Sequence, residues 1–196
     1  MMKRLVGIGI LFALVAIGAG CASKPSKFYA LSPTANGGGA AASYSVAVGP
    51  VSLPATVDRP QMVVTVGPNQ VGIDEFNRWA SPLQNDIARV VAENLAKLLG
   101  TTMVGVYPQP TAAGASYRVL IDVMRFESAP GKSATLDALW TVRGAKEGSS
   151  RAGRTTVSEP AADGSTAALV AAHSQALGRL SGEVADAIRA LEGAGK

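Results

Sequence analysis

Side chains that build metal sites and nucleophilic active sites are almost absent from this chain. Its 196 residues include one cysteine, Cys21, and one histidine, His173. One cysteine cannot form an internal disulfide, and one histidine cannot supply a histidine-rich or Cys/His zinc site. A Ser-His-Asp triad would have to use His173, and the sequence has no Gly-x-Ser-x-Gly motif. We therefore expect a protein without enzymatic activity, metal or cofactor.

Charged and aromatic side chains are scarce too, at 16% and 5% of the residues. The 18 basic and 14 acidic side chains give a formal charge of +4, and Lys3 and Arg4 belong to the N-terminal leader described next. Without these two the balance is 16 basic against 14 acidic side chains, or +2. The sequence has no Lys/Arg stripe interleaved with aromatic residues, so we expect no nucleic-acid binding.

The first 21 residues have the layout of an export signal. Met1–Arg4 is short and positive, and Leu5–Ile17 is an apolar run too short for a comfortable transmembrane helix. Three small residues then precede Cys21, an arrangement that resembles a bacterial lipobox, although Gly18 stands where leucine is usual. We expect 1–20 to be a lipoprotein signal peptide and Cys21 to carry lipid. The alternatives are a secretory signal followed by an incidental cysteine, or an uncleaved anchor.

The rest of the chain divides into three parts by composition. Residues 21–27 form a short tether, 28–191 a single domain and 192–196 a flexible tail. Lipoproteins kept at the inner membrane of enteric-type bacteria usually carry aspartate directly after the cysteine, whereas this chain has Ala22. The absence of this aspartate favours an outer-membrane, periplasm-facing lipoprotein that is held to the membrane by its N-terminal lipid.

Hydrophobic periodicity predicts strands, a helix, more strands and a second helix. The helices cover about 81–99 and 166–191, with Ser81 as the N-cap of the first and Gly100 at its end. The Gly/Ala-rich segment 32–43 is predicted to be a flexible loop. The strands are predicted at 28–31, 44–48, 61–66, 71–73, 103–107, 117–127, 134–143 and 154–158. This order predicts an α+β fold in which one mainly antiparallel sheet packs against two helices.

Two segments combine arginine with proline or tryptophan in connections between predicted elements. Arg59 and Pro60 lie between two strands, and Arg78, Trp79 and Pro82 lead into the first helix. Trp and Arg are favoured at interfaces, so these residues are candidates for partner binding. The structural alternative is that Arg78 and Trp79 cover the helix start while Arg59 pairs with a nearby acid, either Asp58 or Glu75.

Three further residues or segments have simpler structural interpretations. His173 lies on the apolar stripe of the last predicted helix, so we expect a packed side chain rather than a titrating one. Residues 130–133 look like the end of a phosphate loop but join two strands without a helix, which favours a hairpin turn. Trp140 alternates with apolar residues in a strand and is predicted to be core, whereas Trp79 is predicted to lie closer to the surface.

Several segments together resemble the PqiC/YmbA-type lipoproteins, which are auxiliary components of ABC-type transport systems. The resemblance covers about 28–188, and its most specific parts are the Arg-Pro pair and the Arg-Trp-x-x-Pro-Leu segment. The matching segments are FYAL at 28–31, VGPVSLPATVDRPQMV at 48–63, EFNRWASPLQNDIARVVAENLAKLLG at 75–100, YRVLIDVMRFE at 117–127, LDALWTV at 136–142 and AAHSQALGRLSGEVADAI at 171–188.

This resemblance implies a non-enzymatic, outer-membrane subunit of an MCE-type intermembrane lipid transport system that supports envelope integrity. It also implies a periplasmic MCE-domain partner and a homo-oligomeric ring. The family has no catalytic residues to transfer, and its recurring motif positions correspond to Arg59, Pro60, Arg78 and Trp79. The alternative function is a stand-alone structural lipoprotein of the envelope.

Overall fold

The structure is a computed structural model that describes residues 24–37, 41–146 and 148–194. The predicted signal peptide and Cys21 lie outside these ranges. Its helices are α1 (Leu83–Leu99) and α2 (Thr166–Ala194), with a 3-10 turn at Pro110–Ala112. Its strands are β1 (Lys27–Tyr29), β2 (Val46–Ser52), β3 (Gln61–Gly67), β4 (Gln70–Trp79), β5 (Val104–Val106), β6 (Tyr117–Ala129), β7 (Ser133–Gly144) and β8 (Ser150–Pro160).

The predicted α+β class with two packed helices is confirmed, but the strands form two sheets instead of one. The larger sheet has the order β5-β2-β6-β7-β8, and the smaller has the order β1-β4-β3. The β6–β7–β8 meander and the β3–β4 pair are antiparallel. The pairs β2–β5, β2–β6 and β1–β4 are parallel, and each joins strands that are distant in sequence, since a parallel pair needs a long crossover connection.

Both helices contact the larger sheet and each other, and this layer contains the core. The inward face of β6 carries buried Tyr117, Val119, Ile121 and Val123, and β7 contributes Leu136, Ala138, Trp140 and Val142, as their alternation predicts. Helix α1 ends at Gly100, whose left-handed backbone (φ 64°) suits glycine. In the described part of the chain, neither helix is long and apolar enough to cross a membrane.

The start of α1 differs from the sequence prediction. The helix begins at Leu83 after Pro82, and no side chain caps it, so the predicted Ser81 cap is wrong. The preceding residues 75–79 are the end of β4 instead of a loop. Of these, residues 77–79 pair in parallel with β1, which lies about 50 residues earlier in the chain. Local propensity carries no information about that partner.

The C-terminal end of the domain also differs from the prediction. Helix α2 continues to Ala194, three residues past the predicted end, so the predicted flexible tail at 192–196 is helical where the structure describes it. Glu192 in this last turn accepts a hydrogen bond of 2.8 Å from the hydroxyl of Tyr117. Burial and this bond raise the pKa of Tyr117 to about 12.

The first residues of the predicted flexible loop are docked between the two helices. Asn94 of α1 is fully buried, and its side-chain oxygen accepts hydrogen bonds from the backbone N–H groups of Thr34 (3.0 Å) and Ala35 (2.9 Å). Ser174 of α2 accepts a bond from Ser32. Gly178 lets Thr34 approach α2, since a Cβ at that glycine would collide with the threonine hydroxyl. The prediction of a flexible loop is therefore wrong for 32–35.

Replacing Asn94 with alanine is expected to lower the free energy of unfolding by about 2–3 kcal/mol. Two partly buried backbone N–H groups would lose their acceptor, and each such loss costs about 1–3 kcal/mol. Urea denaturation measures the change. The matched control is Glu93→Ala, since the side chain of Glu93 is 45% exposed and makes only a surface ion pair with Arg89. Equal, small effects of both substitutions would contradict the proposed anchoring of 32–35.

Candidate functional site: a pocket at Arg59 and Trp79

The β2–β3 connection, the end of β4 and the turn into α1 enclose an open pocket of about 320 Å³. Two backbone hydrogen bonds hold its walls together. Trp79 donates to the carbonyl of Pro60 at 2.7 Å, and Ala80 donates to the carbonyl of Tyr29 at 2.8 Å. The pocket therefore depends on β1, β3 and β4 being paired. It is lined by Asp58, Arg59, Pro60, Trp79, Ala80, Ser81, Pro82 and Leu83.

The floor of the pocket belongs to the hydrophobic core. Trp79 is only 6% exposed, so the prediction that it lies nearer the surface than Trp140, at 8%, is wrong. Its ring meets the ring of Phe126 edge-on, with centroids 6.1 Å apart. Phe126 in turn stacks on His173 at 3.7 Å. We call Trp79, Phe126 and His173 the aromatic stack, and it gives the pocket a rigid base.

His173 completes the aromatic stack as a buried, neutral side chain, which confirms its predicted packing role. Its Nε2 lies 2.9 Å from the hydroxyl of Ser128, while its Nδ1 is buried with no hydrogen-bond partner in the described part of the chain. Burial lowers the pKa of His173 to about 3, because an imidazolium would lose its hydration there. At neutral pH the ring is therefore uncharged, and its flat face stacks on Phe126.

Arg59 is half-buried in the wall of the pocket, and its side chain has a donor without an acceptor. Its Nε is buried and has no hydrogen-bond partner among the described residues. In the part of the chain that the structure describes, Arg59 forms neither of the two alternative ion pairs, with Asp58 or with Glu75, and Glu75 contacts Arg78 and Gln61 instead. A buried N–H without an acceptor is costly, and the half-buried guanidinium that carries it could donate to a carbonyl or carboxylate oxygen bound in the pocket.

Arg78 is the predicted site residue that the structure separates from the pocket. Neighbouring residues of a strand point to opposite faces, so Arg78 lies on the outer face of β4 while Trp79 points inward. The Arg78 Nε donates to the backbone carbonyl of Glu75 at 3.0 Å, and a guanidinium nitrogen lies 3.8 Å from the Glu75 carboxylate. The structure thus brings together Arg59, Pro60, Trp79 and Pro82 without Arg78.

The chemistry of the pocket suits binding more than bond breaking. Its walls are apolar, and its charged groups are one guanidinium and the exposed carboxylate of Asp58. Within the described ranges, no group of three or more His, Cys, Asp or Glu residues is placed to hold a metal ion. An apolar or proline side chain could occupy the space above Trp79 while a neighbouring oxygen accepts from Arg59.

A larger cleft of about 800 Å³ lies between the tip of the β3–β4 hairpin and the β6–β7 turn. Pro130 and Lys132 of the phosphate-loop-like segment belong to its wall. The structure confirms that this segment is a hairpin turn, closed by a 3.0 Å hydrogen bond from Lys132 to Ala129. Glycine fits this turn because Gly131 has a φ of 68°.

Comparison with known proteins identifies the family. The model of the ABC-type transport auxiliary lipoprotein component family matches residues 29–185, which is most of the chain. The chain belongs to this family, and the resemblance to PqiC/YmbA-type lipoproteins is confirmed at that level. Membership fits a membrane-associated, periplasm-facing lipoprotein. No match was found among curated proteins.

Two solved structures share the fold. The first is a protein from Xanthomonas campestris assigned to the DUF330 family, with 22% identity, a TM-score of 0.69 and coverage of 87% of this chain and 100% of that one. The second is described as an uncharacterized protein, with 19% identity, a TM-score of 0.69 and coverage of 84% and 99%. At these identities the likeness shows the architecture alone.

Sequence reasoning identified four of the residues around the pocket and missed those beneath it. Phe126 and His173 support Trp79 from β6 and α2, and nothing in their local patterns connects them to the Arg-Trp segment. Leu83 also lines the pocket, although the sequence predicts only that it belongs to the helix at 81–99. The proline at 82 was a usable signal, because it forces the chain to turn directly beside Trp79.

Proposed function

We propose that this protein is a non-enzymatic outer-membrane subunit of an MCE-type intermembrane lipid transport system, anchored through lipid on Cys21. The supporting observation is family membership across 29–185, combined with an open pocket on the surface of the domain. In this proposal the protein catalyses no reaction. It holds a docking site at the membrane and contributes to envelope integrity by keeping a transport assembly in place.

The pocket supplies a specific way to capture a partner. Trp79 and Leu83 are nearly inaccessible and fixed by core packing, so a bound side chain would meet a preformed surface. The guanidinium of Arg59 would orient the bound segment by donating to one of its oxygens. The occupant is a periplasmic MCE-domain protein or the neighbouring subunit of a homo-oligomeric ring. Both occupants would present a turn or an extended segment with an accessible oxygen.

Replacing Arg59 with alanine is expected to reduce partner capture about ten-fold or more. A hydrogen bond to a charged group contributes about 1.5–3 kcal/mol, which corresponds to roughly 10–100-fold in affinity. Tagged protein is purified from detergent-solubilised envelopes, and the co-purified MCE-domain protein is quantified by mass spectrometry. Sedimentation of the same samples reports the oligomeric state.

The matched control is Arg151→Ala, which removes an exposed arginine from β8 in the other sheet. Equal capture by both variants and the wild type would show that the Arg59 pocket is not the docking site. Failure of the wild type to retain any MCE-domain protein, together with co-purification of cell wall, would favour a stand-alone structural lipoprotein. Thermal unfolding of each variant checks that the fold is intact.

A further inference from the structure

The small sheet exposes two aromatic rings at the end of the domain where the predicted tether begins. Phe28 in β1 is 65% exposed and Phe76 in β4 is 40% exposed, and Phe28 is more exposed than any other large apolar side chain in the described residues. Burying a phenylalanine contributes about 1.5–3 kcal/mol, so two neighbouring exposed rings indicate a surface that is covered in the working protein.

Basic side chains surround these rings. Phe28 is the register partner of Arg78, so both lie on the same face of the sheet. The Lys24 ammonium lies 5.7 Å from the centre of the Phe76 ring, whereas Lys27, next to Phe28 in β1, points to the opposite face. We call Lys24, Phe28, Phe76 and Arg78 the tether face.

Two carboxylates lie close to the tether face, and both are engaged by the protein. Glu75 pairs with Arg78, and Asp74 accepts hydrogen bonds from Asn77 and from two backbone N–H groups. The pKa of Asp74 is lowered despite partial burial, since these bonds and the nearby Lys24 favour its charged form. Two cations, Lys24 and Arg78, against these two carboxylates leave the face without net charge, so its exposed phenylalanines are its distinguishing feature.

The position of the tether face in the chain identifies what covers it. Phe28 follows Cys21 by seven residues, and seven extended residues span at most about 25 Å. A lipid on Cys21 would therefore keep β1 within that distance of the bilayer. Exposed phenylalanines insert among lipid headgroups, and lysine and arginine attract anionic lipids.

We propose that the tether face lies against the phospholipid surface and sets the orientation of the domain on the membrane. This inference rests on the proposed lipid anchor at Cys21. The domain then contacts the membrane at two places, through the lipid on Cys21 and through the tether face. The second contact restricts rotation of the domain about the short tether. The tether face and the Arg59 pocket share no residue, so contact of this face with the membrane does not itself occupy the pocket.

Site-specific labelling of the full acylated protein tests the orientation. The only native cysteine is the acylated one, so a single introduced cysteine can be labelled cleanly. Gln61→Cys places a fluorophore on the tether face, since Gln61 is the register partner of Arg78. Arg151→Cys in β8 is the control position. The protein is reconstituted into vesicles of phosphatidylethanolamine and phosphatidylglycerol that contain headgroup spin labels.

The label at residue 61 is expected to be quenched several-fold more than the label at residue 151. Replacing Phe28 and Phe76 together with serine should reduce this difference, while flotation with the vesicles persists through the lipid. Equal quenching at both positions in a protein that floats would overturn the tether face and leave the anchor intact. A blue-shifted label at residue 61 without quenching would also overturn it, since a second protein chain would then cover the face.

Failure of the unsubstituted protein to float with the vesicles would contradict the lipid anchor at Cys21 and therefore also the proposed orientation. Cys21→Ser protein provides the reference for that outcome.

Discussion

Trp79→Ala is expected to lower the free energy of unfolding by about 3–5 kcal/mol, as much as Trp140→Ala. Both indoles are almost completely buried, at 6% and 8% exposure. Removal of the Trp79 ring would leave a cavity against Phe126 and would loosen the aromatic stack. Removal of Trp140 would also break the 3.0 Å hydrogen bond from its indole nitrogen to Thr155. Chemical denaturation of the two variants measures both effects.

The control for Trp79→Ala is Phe76→Ala in the same strand. Phe76 is 40% exposed, so its truncation is expected to cost well under half as much as that of Trp79. A cost below about 1 kcal/mol for Trp79→Ala would contradict the assignment of this residue to the core. Such a result would indicate that Trp79 lies near the surface, as its sequence context predicts.

Acidification is expected to destabilise the domain through His173 well before the carboxylates respond. Burial lowers the pKa of this imidazole from 6.5 to about 3, so the folded protein keeps it neutral while the unfolded chain binds a proton. The contribution of neutral His173 is complete above pH 6.5. It falls by about 1.4 kcal/mol per pH unit below that value and is exhausted near pH 3. At pH 5 the loss is about 2 kcal/mol.

Carboxylates titrate in a lower window, so the two effects can be separated. Hydrogen bonding to Arg154 lowers the pKa of Asp137 to about 2, and hydrogen bonding to Arg125 lowers that of Glu127. A carboxylate with a lowered pKa contributes stability above its unfolded value of about 4 and loses it only as the pH falls further. Destabilisation between pH 6.5 and pH 5 is therefore assigned to His173.

The variant that isolates this effect pairs His173→Phe with Ser128→Ala, which removes the histidine and its buried hydroxyl partner together. Its unfolding free energy should change little between pH 6.5 and pH 5, whereas that of the wild type should fall. Urea denaturation at pH 7, 6 and 5 supplies the comparison. Parallel losses in both proteins across this range would show that another group is responsible.

Particular elements show why some predictions succeeded. Strand β7 and the first half of β6 (117–123) alternate so regularly that their inward faces could be identified from the sequence, because the strand repeat of two residues is a local property. A bulge between Val123 and Arg125 then shifts the alternation and places Phe126 in the core, whereas the unbroken repeat predicts it on the other face. Helix α1 ends at Gly100 as predicted, since only the neighbouring backbone determines that glycine's left-handed conformation. The family was likewise identifiable from short motifs, and the match to 29–185 confirms it.

Other features depended on partners that local patterns do not reveal. Residues 77–79 became a strand because β1 pairs with them, and this pairing turned Trp79 into the core. Residues 32–35 after β1 are docked because Asn94 and Ser174 accept their backbone hydrogen bonds. Each of these contacts joins residues separated by 50 or more positions.

The sequence by itself determined the α+β class, both helices, the lone buried histidine and the arginine-bearing segments of the candidate site. These are consequences of periodicity and composition over a few neighbouring residues. Only the tertiary structure decided that Arg59 and Trp79 share a pocket while Arg78 faces the opposite side. The reason is geometric, since strand alternation separates Arg78 from Trp79 and backbone pairing from β1 and Pro60 determines which side of β4 is covered.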